Sequence, residues 1–259
     1  MRIAQNSWLR VSNYLKESPY HDMAVIAIGS IESHGRHMPL GTDMLIPDKI
    51  LELMEQKTDI LIAPTLPYGA TDQLMGFPGT ISLGLDGLTL VLTRITDALY
   101  RYGIRKFIIL NGHGGNIKTI ESVGLGLHKK GSLLALINWW LIAGELNPAW
   151  KGGHGGAEET AGVMAVNPDY IDMDQITQPQ LLKNDIGDAL PTIGFNNVAF
   201  KGGTISIPRE AHNYSDNGWI GPDAPTQATK EWGQEMLATM ADYITDFIEA
   251  FKQAPLPTP

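Results

Sequence analysis

The sequence predicts an α/β fold: a single domain on a mainly parallel sheet flanked by helices. Apolar runs of strand length recur along the chain, and stretches with helical spacing lie between them. The densest groups of His, Asp, Glu and Gly fall directly after those runs, where a parallel sheet places its binding loops.

Taken in order, "MAVIAI" (23–28), "DILIAPTL" (59–66), "KFIILNG" (106–112) and "LLALINWW" (133–140) read as buried strands. Between the first two, "IPDKILELMEQK" (46–57) puts Ile46, Ile50, Leu53 and Met54 on one helical face and carries a proline near its first turn. The stretch 86–102 opens on Asp86, a capping residue type, and stops at Gly103; 116–130 repeats the pattern and stops at Gly131. After Trp140 a Gly-rich loop leads into a short helix near 157, and 175–225, rich in Gly, Pro and Asn, reads as long loops over the sheet. A long amphipathic helix closes the chain before "APLPTP" (254–259), expected to be a flexible tail of one domain spanning 1–259.

A net charge of −9, with no Lys/Arg run, argues against binding nucleic acid through its phosphates. The N-terminus lacks a secretion-type apolar stretch, and no apolar run approaches the ~20 residues of a membrane span. The reading is a cytoplasmic protein. Without cysteine, any metal must be held by nitrogen and oxygen, which suits Zn²⁺, Mn²⁺ or Fe²⁺.

The ligand candidates sit in "GSIESHGRHMPLGTD" (29–43), "NGHGGN" (111–116) and "HGGAEET" (154–160). Glu32 and His34 are two apart, so an extended segment turns both to one side. Asp43 follows within one folded loop. His113, among Gly112, Gly114 and Gly115, arrives from another strand end. His154 and either Glu158 or Glu159 stand at a helix entrance, and spacing does not choose between the two acids. These donors exceed the needs of one tetrahedral zinc, and a shared carboxylate, with Asp43 the candidate, lets them hold two ions about 3.5–4 Å apart around a hydroxide. His37 reads equally as ligand or as support for one. His21, His128 and His212, taken singly, read as ordinary histidines, and the methionines and tryptophans as core or pocket wall. "NGHGGN" lacks the Lys and Ser/Thr of a phosphate loop, and no G-x-S-x-G elbow supports a serine nucleophile.

These words, with "FPGTISL" (77–83) between them, resemble in type and order the creatininase family of metal hydrolases. The resemblance implies a homohexamer of α/β subunits, each with two divalent ions, Zn and/or Mn with Fe as a further option. It implies that Glu32, Asp43 and His113 hold one ion, and that His34, Asp43 and Glu159 hold the other. The expected reaction is attack by the bridging hydroxide on a carbonyl carbon, cleaving a C–N bond of a small, in some members cyclic, amide. Asp43 and His154 are the catalytic candidates, and His154 contacts substrate and transfers protons. Trp150, Lys151 and Gly114 fall at substrate-binding positions. Creatininases carry an aromatic and a Glu after the loop histidine, where this chain has Gly114 and Gly115, and a Trp-Asp pair where it has Trp150-Lys151. Those departures point away from creatinine. They point toward relatives that resemble formamide deformylases, small-peptide hydrolases or hydrolases of oxidised cyclic polyols. A dinuclear phosphoesterase would instead need Arg36, Lys151 or Arg209 at the ions, and a non-catalytic metal protein would need a closed site.

Overall fold

In the computed structural model, which describes residues 1–258, helix α1 (Trp8–Glu17) starts at Ser7, whose hydroxyl accepts from the Arg10 N–H. There follow β1 (Met23–Ile28), α2 (Thr42–Met54), β2 (Leu61–Ile62), α3 (Gly84–Arg101), β3 (Lys106–Asn111), α4 (Ile117–His128) and β4 (Leu133–Asn138). Beyond the sheet come α5 (Trp139–Leu146), α6 (Ala157–Val166), β5 (Asn197–Phe200), β6 (Gly203–Ser206), α7 (Ala211–Tyr214) and α8 (Lys230–Lys252).

The main sheet is wholly parallel, in the order β2-β1-β3-β4, as the alternation of apolar runs and helices predicts. Alternate residues feed two cores. Val25, Ala27, Ile108 and Leu110 pack with α2, α6 and α8, whereas Ala24, Ile26, Phe107 and Ile109 pack with α1, α3 and α4. The chain leaves β1 for β2 on one side and returns to β3 on the other, so the connections diverge between β1 and β3. Ligands bind at such a switch point, outside the carboxyl ends of the strands. Because Ile28 pairs with Asn111, Gly29 and Gly112 emerge there side by side.

Several boundaries differ from the sequence reading. Helix α2 begins at Thr42, not Ile46; Pro47 lies inside it, and Asp43 is in its first turn. Pro47 has no N–H to give the Asp43 carbonyl four residues earlier, and that carbonyl lies 2.7 Å from where a Cβ on Gly29 would stand and 1.9 Å from one on Gly112. Helix α3 begins at Gly84, so Asp86 favours its first turn instead of capping it. Only Leu61 and Ile62 of the second run form strand, and Trp139 and Trp140 open a helix. Segment 175–225 is not all loop: β5 and β6 form an antiparallel hairpin within it. Of the expected tail, Pro259 lies outside the described residues.

Two glycine substitutions test this packing. Gly112→Ala drives a methyl group into the Asp43 backbone and is expected to lower stability by at least about 2 kcal/mol. Gly126→Ala, at an exposed position of α4 with nothing within 4 Å, is expected to raise it by about 0.5–1 kcal/mol. Urea unfolding of both reads the difference, and equal midpoints would refute the close approach.

Candidate metal centre

The switch point gathers the predicted side chains. Glu32 and His34 follow β1, Asp43 descends from the first turn of α2, His113 follows β3, and Glu159 stands in the first turn of α6. Ligand atoms of Glu32, Asp43 and His113 lie within 4.8 Å of one another, as do those of His34, Asp43 and Glu159, and those of Glu32, His34 and His154. The two oxygens of Asp43 face different imidazoles: Oδ1 is 2.9 Å from His34 Nε2, and Oδ2 is 3.1 Å from His113 Nδ1.

Each histidine spends its other nitrogen on a backbone carbonyl: His34 Nδ1 on Glu32 O (3.1 Å), His113 Nε2 on Ala70 O (3.1 Å) and His154 Nε2 on Ser33 O (2.7 Å). Assigning the N–H to those bonds leaves an imidazole lone pair from each directed at the carboxylates, the arrangement that supports metal-bound histidine. Glu32 Oε1, His34 Nε2 and Asp43 Oδ2 are buried without a hydrogen-bond partner; the 2.9 Å approach of His34 to Asp43 is within reach but not aligned as a hydrogen bond. Three carboxylates converge on this point, and a like-charged pair 4 Å apart repels by ~4 kcal/mol at an effective dielectric constant of 20. The cluster therefore demands cations, and its donor set fits divalent metals.

Without metal, protons fill that role. Burial opposes a charged His34, but the Asp43, Glu159 and Glu32 carboxylates prevail and hold it up at about 10. His113 is likewise raised against burial by Glu32 and Asp43. Asp43 is lowered, since these imidazoles outweigh its burial. Burial pushes Glu159 up to about 7 despite His34. Burial and the His34 charge drive His154 well down.

Glu159, not Glu158, supplies the carboxylate beside His34 and Asp43, at 3.7 Å from His34 Nε2, and it accepts from the Gly155 N–H. Glu158 joins no ligand group; its backbone N–H donates to Asp223, and burial with the Glu159 and Asp223 charges raises its carboxyl to about 9. His37 joins none of the ligand groups. It bonds Thr160 Oγ1 at 2.9 Å, tying the β1 loop to α6, and burial beside His34 lowers it to about 4. His21, His128 and His212 also stand outside the cluster.

A cavity of about 600 Å³ adjoins these groups, with Gly114, His154, Trp140, Leu141 and Phe195 in its wall. Two expected substrate contacts lie outside this wall. Trp150 ends a one-turn helix that rotates it into the core with α6 and α8, and Lys151 points outward and lines no part of this cavity. Gly115 is explained by the cluster itself: a Cβ there would lie 2.1 Å from Ala70 O and 2.5 Å from His113 Nε2, displacing that support. The sequence reading missed the supporting groups Ser30, which donates to Glu32 Oε2, and Asn111 and Asn116. Both asparagines sit in the "NGHGGN" word, flanking the histidine they help hold. Asp223 and Phe195 carry no comparable signal.

A family model, Creatininase: Creatinine amidohydrolase, matches residues 4–248. A mycofactocin precursor peptide peptidase of Mycolicibacterium smegmatis is 25% identical over 236 residues, covering 89% of this chain and 85% of that one. A 3-dehydro-scyllo-inosose hydrolase of Thermotoga maritima is 25% identical over 258 residues, covering 91% and 81%. The crystal structure of a creatinine amidohydrolase (creatininase), 22% identical, superposes with a TM-score of 0.74 over 98% of both chains and shares the fold.

Glu159→Gln is expected to weaken zinc binding by at least roughly 10–100-fold, the loss that removing even a ligand's supporting partner causes, whereas Glu158→Gln leaves it near wild type. Calorimetry reads both. Zinc must displace the protons on His34 and His113, so affinity tightens and protons are released as pH rises from 6 toward 9. The metal-free fold keeps the protons on His34, His113 and Glu158 above the pH at which the unfolded chain has lost them, so its stability falls between pH 7 and 9. Zinc uptake without proton release would contradict the cluster's protonated resting state.

Proposed function

The chain belongs to the creatininase family, and from that premise we propose that it is a hydrolase using two divalent ions, zinc and/or manganese with iron as a further option, to cleave a C–N bond of a small amide. Glu32, Asp43 and His113 would hold one ion and His34, Asp43 and Glu159 the other. The observation that carries this reading is the division of Asp43, one oxygen to each imidazole, with all three histidines anchored from behind by backbone carbonyls. Divalent ions at such a site supply a nucleophile from water at neutral pH and polarise the substrate carbonyl.

The chain's own contribution centres on His154. Its Nε2–H is committed to Ser33 O, so Nδ1, 3.8 Å from Glu32 Oε1, is the free base facing the centre. Burial keeps the ring neutral at rest. His154 would therefore accept at Nδ1 a proton from the attacking water and deliver that same proton to the departing nitrogen, with Glu32 steadying the transient imidazolium. Gly152 and Gly153, also in the cavity wall, allow substrate to approach without a side chain between.

Hydrolysis of an oxidised cyclic polyol is the second reading, favoured by the relative from Thermotoga maritima that aligns over 91% of this chain. A phosphoesterase finds no support in the expected cations. Arg209 is engaged by both oxygens of Asp185, Arg36 reaches the Asp216 carbonyl, and Lys151 is outside the cavity wall. Homohexamer assembly belongs to the proposal by family resemblance, and a cytoplasmic location by the reading of the sequence. Among the described residues no helix is long and apolar enough to cross a membrane.

Asp43→Ala is expected to lose both metal and turnover. His154→Ala should keep its metal while kcat falls by about 10²–10⁴, measured with N-formyl amino acids, short peptides, lactams and cyclic polyol ketones, with metal content read by mass spectrometry. Full activity in Asp43→Ala refutes the assignment, and metal loss in His154→Ala makes His154 a ligand instead of a proton carrier.

A further inference from the structure

Segment 175–225 contributes one side chain to the cavity wall, Phe195. Its ring meets the His154 imidazole edge to face, with centroids 4.8 Å apart and planes at 79°. The backbone presents it deliberately. Gly194 has φ +127° and Asn196 has φ +53°, a left-handed conformation uncommon outside glycine. Three polar groups of Asn196 are bonded: its N–H to Tyr214 Oη (3.4 Å), its carbonyl from Ile207 N–H (2.6 Å) and its Oδ1 from Arg209 N–H (3.1 Å). Arg209 braces the turn further, donating to Asp185, Thr192 Oγ1 and the Ile207 carbonyl while stacking over Tyr214.

The same segment also grips His154 from behind. The Ile220 and Gly221 N–H groups donate to its carbonyl at 3.0 and 2.6 Å, and Ile220 lies in the apolar cluster with Leu74 and Tyr214 against which Phe195 packs. One braced unit thus touches both the ring of His154, whose Nε2 Ser33 O holds, and its backbone. A left-handed turn held at the N–H, carbonyl and side-chain oxygen of Asn196 is more than a surface loop needs, and what it delivers is a ring against the proposed proton carrier.

We propose that Phe195 is a positioning and specificity residue of the hydrolase, fixing the tilt of the His154 imidazole and forming, with Leu74, Trp140 and Leu141, an apolar wall that favours substrates bearing an apolar group beside the scissile bond. The specificity half rests on the amide-hydrolase reading above; the contact with His154 does not.

Two measurements test it. In the metal-free protein, the nuclear Overhauser contacts of the His154 Cε1–H, assigned by its loss in His154→Gln, with protons other than those of residue 195 are expected to change in both Phe195→Ala and Phe195→Leu, while those of His21 stay as they are. An unchanged set of His154 contacts overturns the positioning role. In zinc-loaded protein, calorimetry with N-formylphenylalanine and N-formylglycine is expected to show the former bound about tenfold tighter, the preference disappearing in Phe195→Ala and persisting in Phe195→Leu. No preference in the wild type, or an intact one in Phe195→Ala, overturns the specificity role. If the wild type binds the pair with that preference but cleaves neither, the amide-hydrolase reading fails and the apolar wall stands.

Discussion

The proposed centre depends on how closely the first turn of α2 approaches the ends of β1 and β3. The pairing of Ile28 with Asn111 brings Gly29 and Gly112 alongside each other, and the Asp43 carbonyl settles where any side chain on either glycine would stand. Pro47 removes the N–H that would ordinarily hold that carbonyl within the helix. With the backbone of Asp43 seated on the divergence between two strands, its carboxylate falls between a histidine that follows one strand and a histidine that follows the other. A bridging role for Asp43 is thus a consequence of topology: no other position in the sheet offers two strand ends with connections leaving in opposite directions.

Convergence of three carboxylates then sets a demand on the rest of the fold, because each must be held against the repulsion of the others. Glu159 is the hardest to place, since it comes from a helix far along the chain. Helix α6 is buried on nearly every side, and its neighbours approach without intervening side chains: Gly162 faces Ile46 of α2, and Gly233 of α8 lies against the Ala161 carbonyl. The long apolar stripe of α8, from Met236 to Ile248, packs into this same core. Far from the cavity, that stripe holds the helix that carries Glu159 to His34.

Much of this was legible in the sequence where local rules coincide with the tertiary outcome. Strands β1 and β3 match their apolar runs, and the helices before Gly103 and Gly131 stop where a left-handed glycine permits, at φ +101° and +75°. Where local and tertiary demands diverge, the text misleads. Pro47 looks like the first turn of a helix beginning at Ile46, although the true start is hidden in the ligand-bearing word. Trp139 and Trp140 continue an apolar run whose backbone has already turned helical. Glu158 and Glu159 are adjacent and chemically equal, so only the orientation of α6 brings the Glu159 carboxylate to His34 and leaves Glu158 out of the ligand groups. Trp150 occupies a recognisable position beside "HGG", yet a single helical turn rotates it into the core.

Arg209 shows why the irregular segment resists sequence reading. Taken alone it is an available cation, a candidate for holding an anionic substrate. Asp185 lies 24 residues earlier in a stretch without periodicity, and nothing local announces that the two will meet. Once paired, the guanidinium is neutralised and spent on the Asn196 turn. It brings no net charge to the cavity. The segment's direct contribution there is therefore shape: an aromatic ring, set by a braced turn, against a histidine whose carbonyl the same segment holds. The candidate ligands sit on or beside the sheet and its helices, whereas this wall sits on a unit that meets the cluster through His154. A fold divided in this way can change what its cavity admits by altering the turn while Glu32, His34, Asp43, His113 and Glu159 stay where the strands and helices put them.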